Sequence, residues 1–244
     1  MKIILSPSKT QNHKRKSTKK GKSIIAEKMT QKLFNYLKSL SKKELATELD
    51  IQGNLLDRTY ELYQNHKFSD KTIPALECYN GAVFKQIELE NFEKKEINYL
   101  QEKLVIISPM YGPLTAQTEI WPYRLEMKLK PNRIKLKEYW QEIMKNYFAK
   151  TDLIINLASN EYSKVVKDNY QGKIINFYFK EEKEDGSLKT VGYYVKQNRG
   201  KLLNKLIKNQ VQSLKEIKEL NVNGYQFEPK ESDANNYKFI KAYK

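Results

Sequence analysis

The most regular feature of this sequence is a series of short apolar runs, each of which predicts a β-strand. Residues 2–5, 104–107 and 153–157 have the length and the branched side chains of strands that are buried on both faces. The first two runs end at turn-forming residues, Pro7 and Ser108-Pro109. Because a helical pattern separates the second run from the third, we expect these two strands to pair in parallel, with functional residues at their carboxyl ends.

Helical periodicity dominates the first hundred residues, which are therefore expected to be mostly helical. Residues 23–40 place apolar side chains three and four positions apart, and Ser23 is a candidate N-cap for this helix. Ser41 and Glu44 have the spacing of a capping box, which predicts that a second helix begins there. Similar amphipathic patterns predict helices over residues 54–65, 91–102 and 135–149.

Two features of the C-terminal half complete the predicted fold. Residues 173–180 and 188–196 alternate around the turn residues 184–187, which predicts a β-hairpin. Beyond Arg199, residues 201–208 and 213–219 predict either a helix-hairpin-helix that binds phosphate or an ordinary pair of amphipathic surface helices. The expected fold class is α/β (α+β mixed): one compact domain over residues 1–244, with a mixed β-sheet surrounded by helices and a helix-hairpin-helix-like element near the C-terminus.

The charge of the chain indicates the class of partner that it attracts. Its 45 Lys and Arg residues outnumber 29 Asp and Glu residues, for a net charge of +16. Such a field attracts polyanions, DNA first among them, although a general bias toward Lys, Asn and Ile is an equally good origin of the charge. The chain has no apolar run of about 18 residues, and the apolar run at residues 2–5 is too short for a signal peptide, so we expect a soluble, cytoplasmic protein with no membrane partner.

Residue types that bind metals are scarce in this chain. The single cysteine, Cys78, excludes an internal disulfide, and His13 and His66 lack the spacing of metal ligands. We therefore expect no cofactor and no metal cluster. We also expect the protein to be a monomer.

The loop that follows the first strand is a candidate anion site. Ser6 and Lys9 have the S-x-x-K spacing of serine acyl transferases, but Pro7 predicts a loop where that chemistry needs a helix. The better interpretation is a phosphate-binding loop, in which the hydroxyl groups of Ser6, Ser8 and Thr10 and the Lys9 ammonium surround an anion.

A second candidate block surrounds Arg124, one of only five arginines in the chain. An extended backbone would place Arg124, Glu126 and Lys128 on one face and the apolar side chains between them on the other. Glu126 would then remain ionised and orient the guanidinium toward a phosphate or a base edge. The neighbouring Trp121 and Tyr123 either offer stacking surfaces for unpaired bases or belong to the core.

A third block lies where the strand over residues 153–157 ends. Asn156 is followed by Ser159, Asn160 and Glu161 at the expected start of a helix. Ser159 or Asn160 would cap this helix, or the same amide groups would bind an anion. Glu161 could also form a carboxylate pair with Glu126 for acid–base chemistry on a nucleotide.

The blocks identified above resemble the peroxide stress protein YaaA family in their order and spacing, and the resemblance spans essentially the whole chain. The matching segments are Ser-Pro-x-Lys-Thr at residues 6–10 and the segments at 110–114, 122–127, 155–162, 196–200 and 223–225.

This resemblance implies a single compact α/β unit with a positively charged cleft and a helix-hairpin-helix element. It also implies a cytoplasmic location, DNA binding, and a role in limiting damage, including iron-driven damage, under hydrogen peroxide. The family positions that would line the cleft map onto Lys9, Arg124, Glu126, Asn156, Glu161, Lys196 and Arg199.

We therefore predict a DNA-binding protein of the oxidative-stress response that has no turnover reaction of its own. The alternative is an enzyme that processes a nucleobase or nucleotide with the carboxylates of Glu126 and Glu161. The predicted nucleic-acid-binding residues are Ser6, Lys9, Thr10, Tyr111, Tyr123, Arg124, Glu126, Asn156, Ser159, Glu161, Lys196, Arg199, Lys201, Lys205 and Lys208.

Overall fold

Strands and helices alternate along much of the chain. The structure, a computed structural model, describes residues 1–14, 21–67 and 72–243. The strands are β1 (Lys2–Leu5), β2 (Ile73–Pro74), β3 (Leu104–Ser108), β4 (Gly112–Leu114), β5 (Glu119–Ile120), β6 (Leu153–Asn156), β7 (Lys173–Glu182), β8 (Leu188–Lys189), β9 (Gln226–Phe227) and β10 (Asn236–Lys241). The α-helices are α1 (Glu27–Ser39), α2 (Lys42–Leu49), α3 (Gly53–Asn65), α4 (Ala75–Cys78), α5 (Lys94–Lys103), α6 (Leu136–Phe148), α7 (Asn160–Lys167), α8 (Gly192–Lys208) and α9 (Leu214–Lys218). Short 3-10 helices cover Phe84–Gln86, Leu89–Asn91, Pro131–Arg133 and Pro229–Glu231.

A mixed β-sheet organises the fold. Within the described ranges it has eight strands in the order β4-β3-β1-β6-β7-β10-β9, and β8 pairs with β7. The strands from β3 to β10 in this order run parallel, whereas β4, β8 and β9 are antiparallel to their partners. Every residue of β3 is buried, which requires cover on both faces of the sheet. The predicted α/β fold with a mixed sheet flanked by helices is thus confirmed.

The predicted pairing of β3 with β6 is wrong, because β1 lies between them and pairs in parallel with both. Ile3, Ile4 and Leu5 are fully buried in this central position. A strand composed of such residues buries the most apolar surface when it has a neighbouring strand on each edge, and this favours its place at the centre of the sheet.

The helices of the first hundred residues follow the predicted pattern with two displaced starts, and the helix predicted from residue 91 begins at Lys94. The capping box is confirmed: the Glu44 N–H donates to Ser41 Oγ over 3.3 Å, and the Ser41 N–H donates to Glu44 Oε2 over 2.8 Å. The first helix, however, begins at Glu27 and not at Ser23. The backbone at Lys22 bonds residues 117 and 119, which holds the chain extended just before the predicted start.

The predicted hairpin is present but much shorter on its second side. β7 and β8 pair in antiparallel fashion, yet the strand expected over 188–196 ends at Lys189, and α8 begins at Gly192. Leu202, Leu203, Leu206 and Ile207 are buried at helical spacing further along α8, and their packing overrides the local strand preference of the tyrosines and valine before them.

The predicted helix-hairpin-helix is not confirmed. The first predicted helix, 201–208, is only the last half of α8, which has 17 residues. The second is α9, which has five residues and is capped by Ser213. A helix-hairpin-helix consists of two short helices, whereas α8 is more than three times as long as α9.

The core fills the space between the sheet and the helices. Trp140 of α6 is fully buried, and its indole N–H donates to the Pro109 carbonyl over 2.8 Å. Gly112 has a φ of +72°, and a Cβ at this position would lie 2.9 Å from the Trp140 ring, so the close approach requires glycine. In the part of the chain that the structure describes, no helix is both long enough and apolar enough to cross a membrane.

Candidate functional site

The candidate site forms where β1 and β6 end side by side. The Leu157 N–H, just past β6, donates to the Ile4 carbonyl of β1 over 3.0 Å. Ser6, just past β1, accepts a hydrogen bond on its Oγ from the Ser159 N–H over 2.8 Å. Because Ser159 is the residue before α7, these contacts hold the start of α7 against the carboxyl edge of the sheet.

In the loop after β1, where a phosphate-binding loop is predicted, the Ser6 and Ser8 hydroxyl groups and the Lys9 ammonium each contact a group of the protein itself. The Ser6 hydroxyl contacts Ser159, whereas Ser8 Oγ accepts a hydrogen bond from the Thr10 N–H over 3.1 Å. The Lys9 ammonium lies 2.7 Å from Glu126 Oε2. The loop is not helical, so the S-x-x-K geometry of a serine nucleophile is absent from residues 6–9.

Glu126 is the centre of a cluster of charges, as the alternation in the sequence predicts. Besides Lys9, it contacts Arg124 Nη2 at 3.4 Å and Lys128 Nζ at 3.8 Å. Partial burial acts to raise the pKa of Glu126, but the Lys9 hydrogen bond and charge, followed by the charges of Lys128 and Arg124, hold this pKa below its usual value. Glu126 is therefore an ionised acceptor that fixes the positions of three cations.

The aromatic residues of this block belong to the core. Tyr123 is 4% exposed, and its hydroxyl contacts those of Tyr79 at 3.0 Å and Ser108 at 2.9 Å. Tyr111 is fully buried and donates its hydroxyl hydrogen to the Trp121 carbonyl over 2.8 Å. Neither tyrosine ring is available to stack on a base, so we leave Tyr111 and Tyr123 out of the proposed interface. Trp121 is also buried, which settles the open choice for the aromatics in favour of the core.

Glu161 joins the charged cluster through Lys128. The Lys128 backbone N–H donates to Glu161 Oε1 over 3.1 Å, while the side chain of the same lysine contacts Glu126. Burial, followed by the charges of Glu161 and then Glu126, raises the pKa of Tyr162, so both carboxylates act on one phenol. The structure thus brings together two carboxylates that lie 35 positions apart in the sequence.

Asn156 has a partner that sequence reasoning missed. Its Nδ2 donates to Asn176 Oδ1 over 2.8 Å, and its own Oδ1 accepts the Ala158 N–H over 3.0 Å. Asn176 in turn donates to the Asn236 side chain over 3.0 Å. A repeat in the sequence could have indicated this partner, because Ile-Ile-Asn occurs at residues 154–156 and again at 174–176. In the structure the two triplets pair in register.

Arg199 lies in a cavity of about 360 Å³, which we call the Arg199 cavity. Its lining includes Asn156, Asn160, Ser163, Lys167, Asn176 and Arg199. Lys196 is exposed and lies three positions before Arg199 on α8, which places the two on the same side of that helix. Asn156, Asn160 and Arg199 therefore meet at the start of α7, next to the Glu126 cluster.

The remaining predicted lysines line a different depression. Lys201, Lys205 and Lys208 border a groove of about 640 Å³, which we call the lysine groove, together with Lys85, Glu88 and Asn204. Among the described residues, none lines both this groove and the Arg199 cavity. The predicted site residues of α8 thus form two groups. Lys196 and Arg199 lie on its first half, and the three lysines of the groove lie on its second half.

Cysteine and metal chemistry receive no geometric support in the described ranges. Among those residues, no three His, Cys, Asp or Glu side chains are arranged to hold a metal ion. Cys78 is fully buried, and burial raises the pKa of its thiol to about 12, so it is protonated at neutral pH.

Together these features define an α/β protein with cationic sites at the carboxyl edge of its central strands and along one helix. The family model described as peroxide stress protein YaaA matches residues 1–231. A UPF0246 protein of Fusobacterium nucleatum subsp. nucleatum is 37% identical over an alignment of 248 positions that covers 99% of this chain and 99% of that protein. UPF0246 proteins of Rickettsia felis (34% identical over 249 aligned positions, covering 99% of this chain and 100% of that protein) and Rickettsia bellii (36% identical over 222 aligned positions, covering 88% and 89%) are also similar. The chain belongs to the peroxide stress protein YaaA family, as its sequence blocks predict.

Proposed function

We propose that the protein binds DNA in the cytoplasm during the response to hydrogen peroxide and thereby limits iron-driven damage. The observation that carries the proposal is the lysine groove, in which four lysines face one acidic residue, Glu88. The net charge of +16 attracts DNA to the whole molecule, and the groove supplies a place for its phosphates. The family of the chain supplies the connection with peroxide stress.

The side chains of the groove suit phosphate contacts better than base recognition. Lysine is a mobile point charge, and none of the described residues that line the groove is an arginine that could read a guanine edge with two hydrogen bonds. Asn204 accepts the Glu88 N–H on its Oδ1 over 3.1 Å, which leaves its amide hydrogens as further donors. We therefore propose that DNA is held by its backbone, independently of sequence.

The Glu126 cluster supports the same proposal with a second cationic surface. Lys9, Arg124 and Lys128 carry three positive charges around one carboxylate, so the cluster remains cationic even when Glu161 is counted. In this proposal Glu126 holds the Arg124 guanidinium in place for a phosphate, and it does not itself transfer protons.

Replacing Lys201 and Lys205 together by Ala tests the groove. We expect DNA affinity to fall about tenfold at moderate salt, equally for unrelated sequences, because about two phosphate contacts are lost. Lys208 is left intact because it bonds the Asn91 carbonyl and Glu96, so its removal would also disturb packing. Binding is measured by fluorescence anisotropy with two labelled duplexes of different sequence.

The matched control is Lys28→Ala with Lys32→Ala. These exposed lysines have the same spacing on α1 and lie outside the groove, so this variant loses the same net charge. We expect it to bind within about twofold of the wild type, since distant surface charges act weakly through salt. Equal losses in the two double variants would show that overall charge, and not the groove, binds DNA.

The alternative function, a nucleobase- or nucleotide-processing enzyme, draws its support from the convergence of Glu126 and Glu161 on Lys128. The three cations hold Glu126 ionised, which is unfavourable for a general acid. We expect neither released base nor cleaved backbone when peroxide-treated DNA is incubated with the protein and analysed by chromatography. Product that is lost in Glu126→Gln, but retained in the exposed control Glu142→Gln, would establish the enzyme instead.

A further inference from the structure

We propose that the Arg199 cavity binds a phosphate monoester group. The inference goes beyond DNA-backbone binding, because a monoester is either a free small molecule or the terminal phosphate of a strand. It rests on the proposed function only for the second of these two sources. The evidence is a polar cavity whose donors lack partners and whose charge is uncompensated.

Two buried donors of the cavity have no hydrogen-bond partner among the described residues. One is Nε of Arg199, and the other is the hydroxyl of Ser163, a residue with no exposed surface. Leaving such groups unpaired costs about 1–3 kcal/mol each, so native structures rarely do so without a ligand or water. Both residues line the same cavity, which gives one location for the missing acceptor.

Two asparagines of the cavity, Asn156 and Asn176, already form hydrogen bonds with their side chains. Asn156 donates one amide hydrogen to Asn176 and accepts the Ala158 N–H on its side-chain oxygen, and Asn176 donates to Asn235 and Asn236. This chain of amides forms a rigid wall and leaves few donors of its own. The ligand is therefore held mainly by the side chains opposite the wall, from α7 and α8.

The charge of the cavity indicates an anion with two negative charges. Lys167 and Arg199 both line it, and none of its described lining residues is Asp or Glu. Neither cation forms an ion pair with the carboxylates of the described residues, and burial lowers the pKa of each. A phosphate monoester carries between one and two negative charges at neutral pH and three unesterified oxygens, which match two cations and a hydroxyl better than a diester does.

The rim of the cavity shows where the esterified group would lie. Tyr178 lines the cavity and is 45% exposed, so a substituent on the phosphate would pass beside this ring toward solvent. The cavity thus admits inorganic phosphate as well as a larger monoester.

The test uses inorganic phosphate as the probe for the full-length protein, with binding measured by isothermal titration calorimetry at constant ionic strength set by chloride. We expect saturable binding of one phosphate per chain. Arg199→Gln is expected to weaken phosphate affinity by about tenfold or more, and Ser163→Ala by about threefold, because each removes a donor to the same anion. Thermal melting of both variants verifies that they are folded.

The second arm compares two oligonucleotide duplexes that differ only in a 5′-phosphate or a 5′-hydroxyl group. Tighter binding of the phosphorylated duplex, lost in Ser163→Ala, would identify the end of a strand as the source of the phosphate. If instead the two duplexes bind equally well and inorganic phosphate displaces neither, the source would be a free monoester. Absence of phosphate binding at millimolar concentration, or equal phosphate affinity in the folded Ser163→Ala and Arg199→Gln variants and the wild type, overturns the proposal. The 5′-hydroxyl duplex reports on the proposed function separately, since it depends on the lysine groove and not on Ser163.

Discussion

Raising the salt concentration from about 50 mM to about 200 mM is expected to weaken DNA binding several-hundred-fold. The lysine groove and the Glu126 cluster offer enough cations to neutralise about five phosphates. Each neutralised phosphate of duplex DNA releases about 0.9 counterion, so log K falls by about 4.5 for every tenfold rise in salt. A mode of binding that depends on base recognition alone would have a much smaller slope.

The slope of log K against log salt concentration is measured by anisotropy titrations at four or more salt concentrations. Lys201→Ala with Lys205→Ala should reduce the slope by about two units, because two phosphates lose their cations. The Lys28→Ala and Lys32→Ala control should leave the slope of the wild type unchanged. An affinity that does not vary with salt would contradict DNA binding through either cationic surface.

Gly200→Ala is expected to destabilise the protein by about 3 kcal/mol, at the upper end of the usual cost of overpacking. Gly200 lies in the middle of α8, where a Cβ would be 2.2 Å from the Val83 carbonyl oxygen and 2.8 Å from Cβ of Gln86. The nearest atom belongs to the backbone and cannot move aside alone, so α8 would have to shift away from the 3-10 helix at residues 84–86. Arg199 is the adjacent residue, so the shift would also disturb the Arg199 cavity.

Gly192→Ala provides the control on the same helix. Gly192 is the first residue of α8, and its Cβ would meet no atom within 4 Å. Since alanine favours helix over glycine by about 1 kcal/mol, this variant should be as stable as the wild type or slightly more stable. Urea unfolding followed by circular dichroism gives both free energies of unfolding. If the two variants had equal stability, the close approach of α8 to Val83 would be wrong.

Gly200 also belongs to the sequence block at residues 196–200. Glycine is unfavourable in the interior of a helix, so a glycine directly after Arg199 has no local reason. The contact with Val83, more than a hundred positions earlier, supplies the reason. A close approach of this kind has no periodicity, and the sequence around Gly200 therefore carries no sign of it.

The candidate site was predictable in its members more than in its arrangement. Alternation alone placed Arg124, Glu126 and Lys128 on one face, and their ion pairs confirm it. It did not reveal that Lys9 completes the cluster from a loop more than a hundred positions away. Nor did it reveal that Tyr111 and Tyr123, aromatic residues beside charged ones, are buried in the core.

The amino-acid sequence alone determined the elements whose signals lie within a few residues of one another: the buried strands β1, β3 and β6, the capping box at Ser41, and the family to which the chain belongs. Only the tertiary structure decided the place of β1 between β3 and β6, the helical state of residues 192–196, and the meeting of Ser163, Lys167 and Arg199 in one cavity. The division has a physical cause. Periodicity and capping depend on backbone geometry over one or two turns, whereas strand order and cavity lining depend on which distant surfaces exclude the most water when they pack together.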